Sequence, residues 1–409
     1  MSNKTCRMCG EELHTLFLDL GVSPLANAYL KSDNQMEQMY PLRTYVCESC
    51  FLVQVEDYES PEHIFGDYAY FSSFSESWLS HCRDYVEKMI DRHGYTKDDQ
   101  IVEIASNDGY LLQYFKEKEI PVLGIEPAAN VAKTAVEKGI DTVVDFFGTR
   151  LAMSLKEQGK MADLLLGNNV LAHVPELNDF VEGMKILLKP QGTITMEFPH
   201  LLSLMEYKQF DTIYHEHYSY YSFTTVVKLF EKHGLRIYDV DKLETHGGSL
   251  RIYAAHSENQ QLSISKAVSE LLELESTFGL GKMNTYKEFH KGVVQLKRQI
   301  LKFLIDAKDK GFSIVGYGAP AKGNTLLNYC GIDRDYLDYT VDRNPHKQGT
   351  FLPGSRIPVY SPEMLKQTRP DYVIILPWNL KEEIMEQTSF IQDWGGKWII
   401  PVPEIMVIS

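Results

Sequence analysis

Apolar residues recur at short, regular intervals from about residue 80 onward, and their spacing predicts a run of alternating helices and strands. Ser80–His93 carries a helical period. Gln100–Ala105 is a short apolar strand, followed by the turn Ser106-Asn107-Asp108-Gly109 and a helix beginning at Leu111. A second strand, Val122–Ile125, ends in Glu126-Pro127, and a third, Val143–Phe147, encloses Asp145. A fourth runs from Ala162 into Asn168-Asn169, and a turn at Leu188–Gly192 leads to Thr193–Phe198. Strands alternating with helices in this way predict a doubly wound parallel sheet, an α/β fold. Ala267–Thr277 is expected to be an acidic, solvated helix bridging to a last third. That third contains a long amphipathic helix over Lys287–Lys310, then strands near Ser313–Gly316, Tyr339–Val341 and Tyr372–Leu376.

One stretch breaks the pattern. Asp211–Phe223, DTIYHEHYSYYSF, offers no apolar face for an ordinary helix or strand to bury. It sets Tyr214, His215, Glu216 and His217 side by side. Three of these four groups exchange protons near neutrality, so the segment points to general acid–base chemistry beside a ligand. A metal site or an exposed polar loop is the competing reading. Residues 62–80, rich in Tyr, Phe and Ser, read equally well as a packed linker or as a ligand-facing segment that includes Tyr68, Tyr70 and Ser73.

Composition narrows the class. At 409 residues the chain is expected to hold two to four domains. A net charge of −15 argues against a protein that coats nucleic acid or an anionic membrane. No basic segment followed by an apolar one opens the chain, and the longest apolar runs, Ala162–Leu166 and Tyr372–Leu376, are far short of a membrane span. A cytoplasmic protein is expected, with no nucleic-acid and no membrane partner.

The cysteines form two C-x-x-C pairs, Cys6/Cys9 and Cys47/Cys50, with Cys82 and Cys330 solitary. In a reducing compartment two such knuckles predict a tetrahedral thiolate site, best suited to Zn2+ and structural because four thiolates leave no open position. The intervening segment is too short for a large core, so the metal is expected to stabilise this module directly.

The turn after the first strand separates two cofactor classes. Dinucleotide sites use G-x-G-x-x-G to bring a pyrophosphate onto the backbone. Here a single glycine and a carboxylate occupy the turn, which suits the sulfonium and ammonium of S-adenosylmethionine. Glu126, 23 residues after Glu103, is placed to accept the ribose hydroxyls, and Asp145 to meet the adenine amino group. Further candidates for that cofactor are Glu103, Ser106, Asn107, Gly109, Pro127, Asn168 and Asn169. The order of strand ends predicts a class I methyltransferase domain. Gly316-x-Gly318-x-x-Ala321, with Asp342 ending the next strand, is a relaxed dinucleotide fingerprint that taken alone points to NAD.

Together these motifs resemble the zinc-containing C-methyltransferases that act on nucleotide-linked 4-keto-deoxyhexoses, most closely the 3-C-methyltransferase type. The resemblance rests on the paired knuckles, Tyr68-Ala69-Tyr70-Phe71-Ser72-Ser73, VEIASNDGYLL, Asn168–His173, Tyr214–His217, His246–Arg251 and GYGAPAKGNTLLN, and it covers almost the whole chain. It implies a zinc module (1–75), an S-adenosylmethionine domain (76–285) and a C-terminal Rossmann-like domain (286–409) that holds the sugar nucleotide and no dinucleotide. It also implies a His217 base, with Tyr214, Glu216, His173 and Tyr68 around it. A neutral imidazole is the commonest general base, which agrees; Glu216 is expected to set its tautomer, His215 to support, and Glu197 is a rival base. Arg251, Lys322 and Asn324 are expected near the diphosphate, with Trp378 and Asn379 bordering the same cleft. The partner is then a dTDP- or GDP-linked 4-keto-deoxysugar, and the protein a monomer. A zinc-bearing methyltransferase of RNA or protein, and a non-catalytic sugar-nucleotide binder, are the other classes kept open.

Overall fold

The computed structural model describes residues 4–61, 64 and 72–409, so Tyr68 and Tyr70 lie outside the described residues. The long strand β1 (Thr15–Ser23) rises between the two knuckles and pairs antiparallel with β2 (Tyr40–Val46), which pairs with β3 (Val53–Val55). The fourth strand of this sheet comes from far along the chain. Ser219–Tyr220, labelled β9, pairs antiparallel with β3, with Val53 opposite Tyr220 and Gln54 opposite Ser219. The segment expected to form no strand therefore forms one. Its tyrosines supply the missing apolar surface: Tyr218, Tyr220 and Tyr221 are buried, and the backbone between them hydrogen-bonds to the zinc module.

The central sheet holds seven strands: β4 (Ile101–Ile104), β5 (Val122–Ile125), β6 (Thr142–Val143), β7 (Ala162–Asn168), β8 (Leu188–Pro199), β10 (Leu235–Leu243) and β11 (Ser249–His256). Their spatial order is β10-β11-β8-β7-β4-β5-β6. Strands β4 to β8 are parallel, and β11 and β10 close the edge as an antiparallel hairpin. This is the class I methyltransferase sheet. The order reverses between β4 and β7, which opens a crevice at their carboxyl ends where ligands bind in such sheets. The third strand is shorter than its apolar run, so Asp145 lies beyond it in a loop. Leu188–Gly192, expected as a turn, belongs to β8: the chain enters the sheet opposite Ala162, and a register shift between Ala162 and Leu164 accommodates the extra residues.

A third sheet, of order β14-β13-β12-β15-β16-β17, makes the C-terminal unit. It contains β12 (Ile314–Tyr317), β13 (Thr340–Val341), β14 (Val359–Tyr360), β15 (Tyr372–Ile375), β16 (Lys397–Ile400) and β17 (Met406–Ile408), all parallel except the last. The helix Met283–Asp309 carries one apolar stripe, Tyr286, Phe289, Val293, Leu296, Ile300 and Leu304, into a core shared with the zinc module's β1. Phe17 stacks on Phe289 with ring centres 4.9 Å apart. Cys6, Cys47, Cys50 and Leu52 pack instead into the methyltransferase core. The small module thus borrows apolar cover from both larger units, as a chain segment too short for its own core must.

The acidic helix Lys266–Phe278 is not wholly solvated. Glu275 is fully buried and accepts hydrogen bonds from His200 Nε2 and from the Phe223 and Thr224 N–H groups. It therefore satisfies donors left open at the N-terminus of the helix Phe223–Lys232.

Candidate active site

The crevice is a cavity of about 610 Å³ walled by all three units. Asn27 comes from the zinc module. The methyltransferase strand ends contribute Ala105, Asn107, Glu126, Pro127, Asp145, Asn168, Asn169 and His173. Tyr214, Glu216, His217 and His246 follow, and Lys322 and Lys347 complete the wall from the C-terminal unit. Ala105, Asn107 and Asn169 all have positive φ, at 57°, 48° and 56°. Non-glycine residues adopt this conformation at a cost, and three at adjoining strand ends mark a functional rim.

At the cofactor end, Glu126 closes the turn: its two oxygens accept the Asn107 and Ala128 N–H groups at 3.0 and 2.9 Å, and burial pushes its pKa up. Asn168 Nδ2 and Asn169 Oδ1 are buried and have no hydrogen-bond partner among the described residues. Orphaned donors and acceptors on a cavity wall fit a polar ligand that completes them. With Glu126 and Asp145 alongside, the set suits a cationic nucleoside. Asp145 pairs with Arg150 at 2.6 Å. Glu103 and Ser106 are fully buried behind the wall, where burial holds the Glu103 carboxyl well above its usual range. Gly109 shapes the turn with φ +76°; a Cβ there would sit 2.4 Å from Ile140 Cδ1. Asp108 turns away from the cavity to Lys138, 3.2 Å distant, so the turn presents Ala105 and Asn107, not the Asp108 carboxylate, to the cavity.

At the opposite end, His217 Nδ1 lies 3.0 Å from the Thr212 carbonyl oxygen, so that nitrogen carries the proton. Nε2 is then the lone pair, and it accepts the Tyr214 hydroxyl at 2.8 Å. The enclosing protein, helped by nearby His173, holds the His217 pKa well below the usual imidazole value, so the ring is neutral. His173 donates from Nδ1 to the Glu216 carbonyl at 2.8 Å, its ring centre 4.7 Å from that of His217, and burial lowers its pKa to about 4. The tautomer of His217 is therefore set by a backbone carbonyl and not by Glu216. The Glu216 carboxylate instead accepts both hydrogen bonds of Asn27 Nδ2, at 2.8 and 2.9 Å, and burial raises its pKa to about 7. His215 faces the other way, 3.1 Å from the Pro41 carbonyl and beside the Tyr40 ring.

Three family models match contiguous stretches of the chain: a zinc binding domain over residues 6–65, a methyltransferase domain over 77–240 and a C-methyltransferase C-terminal domain over 244–403. The C-methyltransferase NovU of Streptomyces niveus is 35% identical over 406 residues, spanning 99% of this chain and 96% of its own. The chain belongs to the C-methyltransferase family. Among solved structures, a SAM-dependent methyltransferase from Anabaena variabilis is similar at 12% identity, covering 44% of this chain and 86% of its own with a TM-score of 0.37. Magnesium protoporphyrin IX methyltransferase from Synechocystis, with bound SAM, is similar at 15% identity over 48% and 89% with a TM-score of 0.34. This C-methyltransferase is S-adenosylmethionine-dependent, with its methyltransferase domain on the central sheet.

Its metal site fits Zn2+. The Sγ atoms of Cys6, Cys9, Cys47 and Cys50 all lie within 4.8 Å of one another, and none is in a disulfide. Tetrahedral Zn–S bonds of about 2.3 Å need sulfurs roughly 3.8 Å apart; the pairs Cys6–Cys50 and Cys9–Cys47 stand at 3.5 Å. Gln54 Nε2 donates to Cys6 Sγ at 3.3 Å, and Arg7, between the first two ligands, donates to the Tyr218 and Val55 carbonyls. The metal knuckle is thereby tied to the strand that follows Tyr214–His217. Among the described residues no helix is long and apolar enough to cross a membrane.

Several expected ligand contacts fall elsewhere. Arg251 is 3% exposed and lies off the cavity wall, paired with fully buried Glu197. Glu197, the rival base, also accepts from His81 Nε2 at 2.9 Å and Thr245 Oγ1 at 2.8 Å. Burial opposes its charge, yet His81 and Arg251 bring its pKa down to about 2. Asn324 donates to the Ala26 carbonyl, joining two units. Ser73 accepts from Lys138, away from the cavity, whereas its neighbour Ser72 lines it. Trp378 is buried under Lys322 and donates to Asp211 Oδ2 at 2.6 Å. Asp342 accepts the Ala319 and Asn344 N–H groups, closing the glycine-bearing loop with both oxygens.

The cavity also holds residues that were given no role from the sequence: Asn27, Lys347, Trp78 of the 62–80 segment and His246 of the His246–Arg251 motif. His246 has φ 55° and is followed by Gly247 and Gly248 at φ +87° and +117°. A Cβ at Gly247 would meet the Trp378 ring at 2.5 Å. The two glycines after a histidine are the signal that was available. Asn27 had none, since its partner Glu216 lies 189 positions away.

Proposed function

We propose that this C-methyltransferase methylates a nucleotide-linked 4-keto-6-deoxyhexose on a carbon beside the ketone, at C3, through an enolate formed by His217. The observation that carries the reading is the neutral His217 ring, with Nε2 unprotonated and turned to Tyr214 in a cavity whose far end suits the methyl donor. A ketone acidifies the neighbouring C–H. His217 Nε2 takes that proton, and the electron pair moves onto the ketone oxygen. As substrate enters, the Tyr214 hydroxyl exchanges His217 for that oxygen and donates to it. S-adenosylmethionine, when bound, supplies an electrophilic methyl. Glu126, Asn168 and Asn169 would orient it, and Glu216, fixed by Asn27, would face the sugar. The basic groups Lys322 and Lys347 support an anionic substrate, such as a dTDP- or GDP-sugar, in an otherwise acidic protein.

The test is a panel of dTDP- and GDP-linked 4-keto-6-deoxyhexoses incubated with S-adenosylmethionine. A single methyl gain, with NMR placing it at C3, is expected; placement at C5 would keep the chemistry and correct the position. No gain with any keto sugar, but transfer to bulk RNA or protein, would overturn the reading. His217→Asn should abolish solvent deuterium uptake beside the ketone while S-adenosylmethionine still binds.

A further inference from the structure

Lys322 is the second residue of the helix Ala321–Cys330 in the C-terminal unit, yet its side chain reaches the same cavity wall as Tyr214, Glu216, His217 and His246. The helix is docked directly on the proton-transfer segment. One turn after Lys322, Thr325 Oγ1 donates to the Ile213 carbonyl at 3.0 Å, the residue before Tyr214. Trp378, which lies under the ammonium, holds Asp211 through its indole N–H and packs on the backbone of the His246 turn.

The partners of this ammonium are neutral. Nζ donates to Asn379 Oδ1 at 2.7 Å and stands 4.6 Å from the centre of the Trp378 ring. The acid that acts on it, Asp211, does so from a distance, its carboxylate turned to the indole nitrogen. Lys322 is half-buried on the cavity wall, and a cation so placed with no acid in contact is stabilised when an anion meets it. Its free face is the cavity, so that anion belongs to the ligand. The surrounding protein, against the pull of Asp211, lowers its pKa only to about 8, so it is charged at neutral pH.

We propose that Lys322 is a further catalytic residue for the enolate chemistry read above, its ammonium meeting the negative charge that develops on the ketone oxygen. This inference rests on that reading. The C–H proton passes to His217 Nε2, and the C–H electron pair forms the enolate double bond as the carbonyl π pair goes to oxygen beside Lys322. When the carbon bonds to the methyl, the ketone re-forms and the C–S pair returns to sulfur. No other reactant is needed. A diphosphate is the other anion that this lysine could meet, and the two roles give opposite kinetics.

The experiment uses dTDP-4-keto-6-deoxyglucose with the full-length, zinc-loaded protein. Deuterium uptake beside the ketone is read without S-adenosylmethionine, and affinity for dTDP, which has no ketone, is read by calorimetry. Lys322→Met should slow uptake at saturating sugar by about 10²- to 10³-fold, the usual effect of removing one oxyanion donor. The affinity for dTDP should change less than about threefold, well under the tenfold that 1.4 kcal/mol represents. Lys322→Arg should recover part of the rate. Melting temperature and zinc content verify folding, and Lys322→Gln stands in if the methionine variant does not fold. Uptake at the unmodified rate in a folded variant would overturn the inference, as would a loss confined to dTDP affinity, which assigns the lysine to the diphosphate. Absence of uptake in the unmodified protein would instead sink the underlying reading of the reaction, and this inference with it.

Discussion

Replacing Arg251 with methionine should unfold the protein more easily without weakening its grip on a sugar nucleotide. The Glu197 carboxylate is fully buried at the end of β8, and three donors satisfy it: Arg251, His81 and Thr245. Methionine keeps the unbranched apolar stem but removes the charge and the guanidinium that lies 4.4 Å from the Tyr85 ring centre. Glu197 is then left with a histidine and a hydroxyl in a site without solvent. Removing one partner of a buried pair costs about 3–5 kcal/mol, because the remaining charge is uncompensated. At roughly 2–4 °C per kcal/mol for a domain of this size, melting should fall by roughly 6–20 °C. Thermal and urea unfolding measure this directly. Adding Glu197→Gln should restore part of the loss, since the orphaned charge is gone, and the double-mutant cycle gives the coupling. A change below about 1 kcal/mol, combined with loss of dTDP affinity, would refute the reasoning and return Arg251 to the diphosphate.

Three further outcomes follow from the same geometry. Stripping the metal, or Cys47→Ser, should release the pairing of β3 with β9, so the Val55 amide, which donates to Tyr218, should lose exchange protection together with activity; retained protection in metal-free protein would separate the metal from the active segment. Asn168→Ala should weaken S-adenosylmethionine binding about tenfold by calorimetry, the scale of one hydrogen bond in a closed site, while melting of the ligand-free protein stays unchanged. Glu216 has a folded pKa of about 7 against 4.5 ordinarily, so its contribution to stability is fully present below about pH 4 and is lost as pH rises through 7. Melting of the ligand-free protein should therefore decline between pH 5 and pH 8 by roughly this linkage, and Glu216→Gln should flatten that decline; an equal slope in the variant would assign the pH dependence to other groups.

Local signals in the chain were enough for the elements and for much of the chemistry. Two C-x-x-C knuckles specify four thiolates because each turn presents its own pair. The strand–turn–helix–strand–acid order specifies the methyltransferase sheet because parallel strands need crossover helices and their carboxyl ends gather at one edge. The adjacency of Tyr214, His215, Glu216 and His217 marked a segment that supplies the cavity wall with Tyr214, Glu216 and His217. Adjacency alone could not rank direction, although the family resemblance put His217 ahead of His215. Neighbouring side chains diverge, so His217 enters the cavity while His215 turns to Pro41.

The rest depended on distant backbone meeting distant side chains. Arg251 was expected near the diphosphate, but β11 lies beside β8 and delivers it to Glu197. Lys322 read as a diphosphate or surface lysine; the docking of its helix on Ile213 places it on the same cavity wall as Tyr214 and His217. The metal was expected to stabilise its own small module; pairing of β3 with β9 also ties that module to the strand that follows Tyr214–His217. Each is a contact across 50 or more positions. Such contacts are set by which faces pack together and leave no periodicity in the chain itself, so only the folded structure decides them.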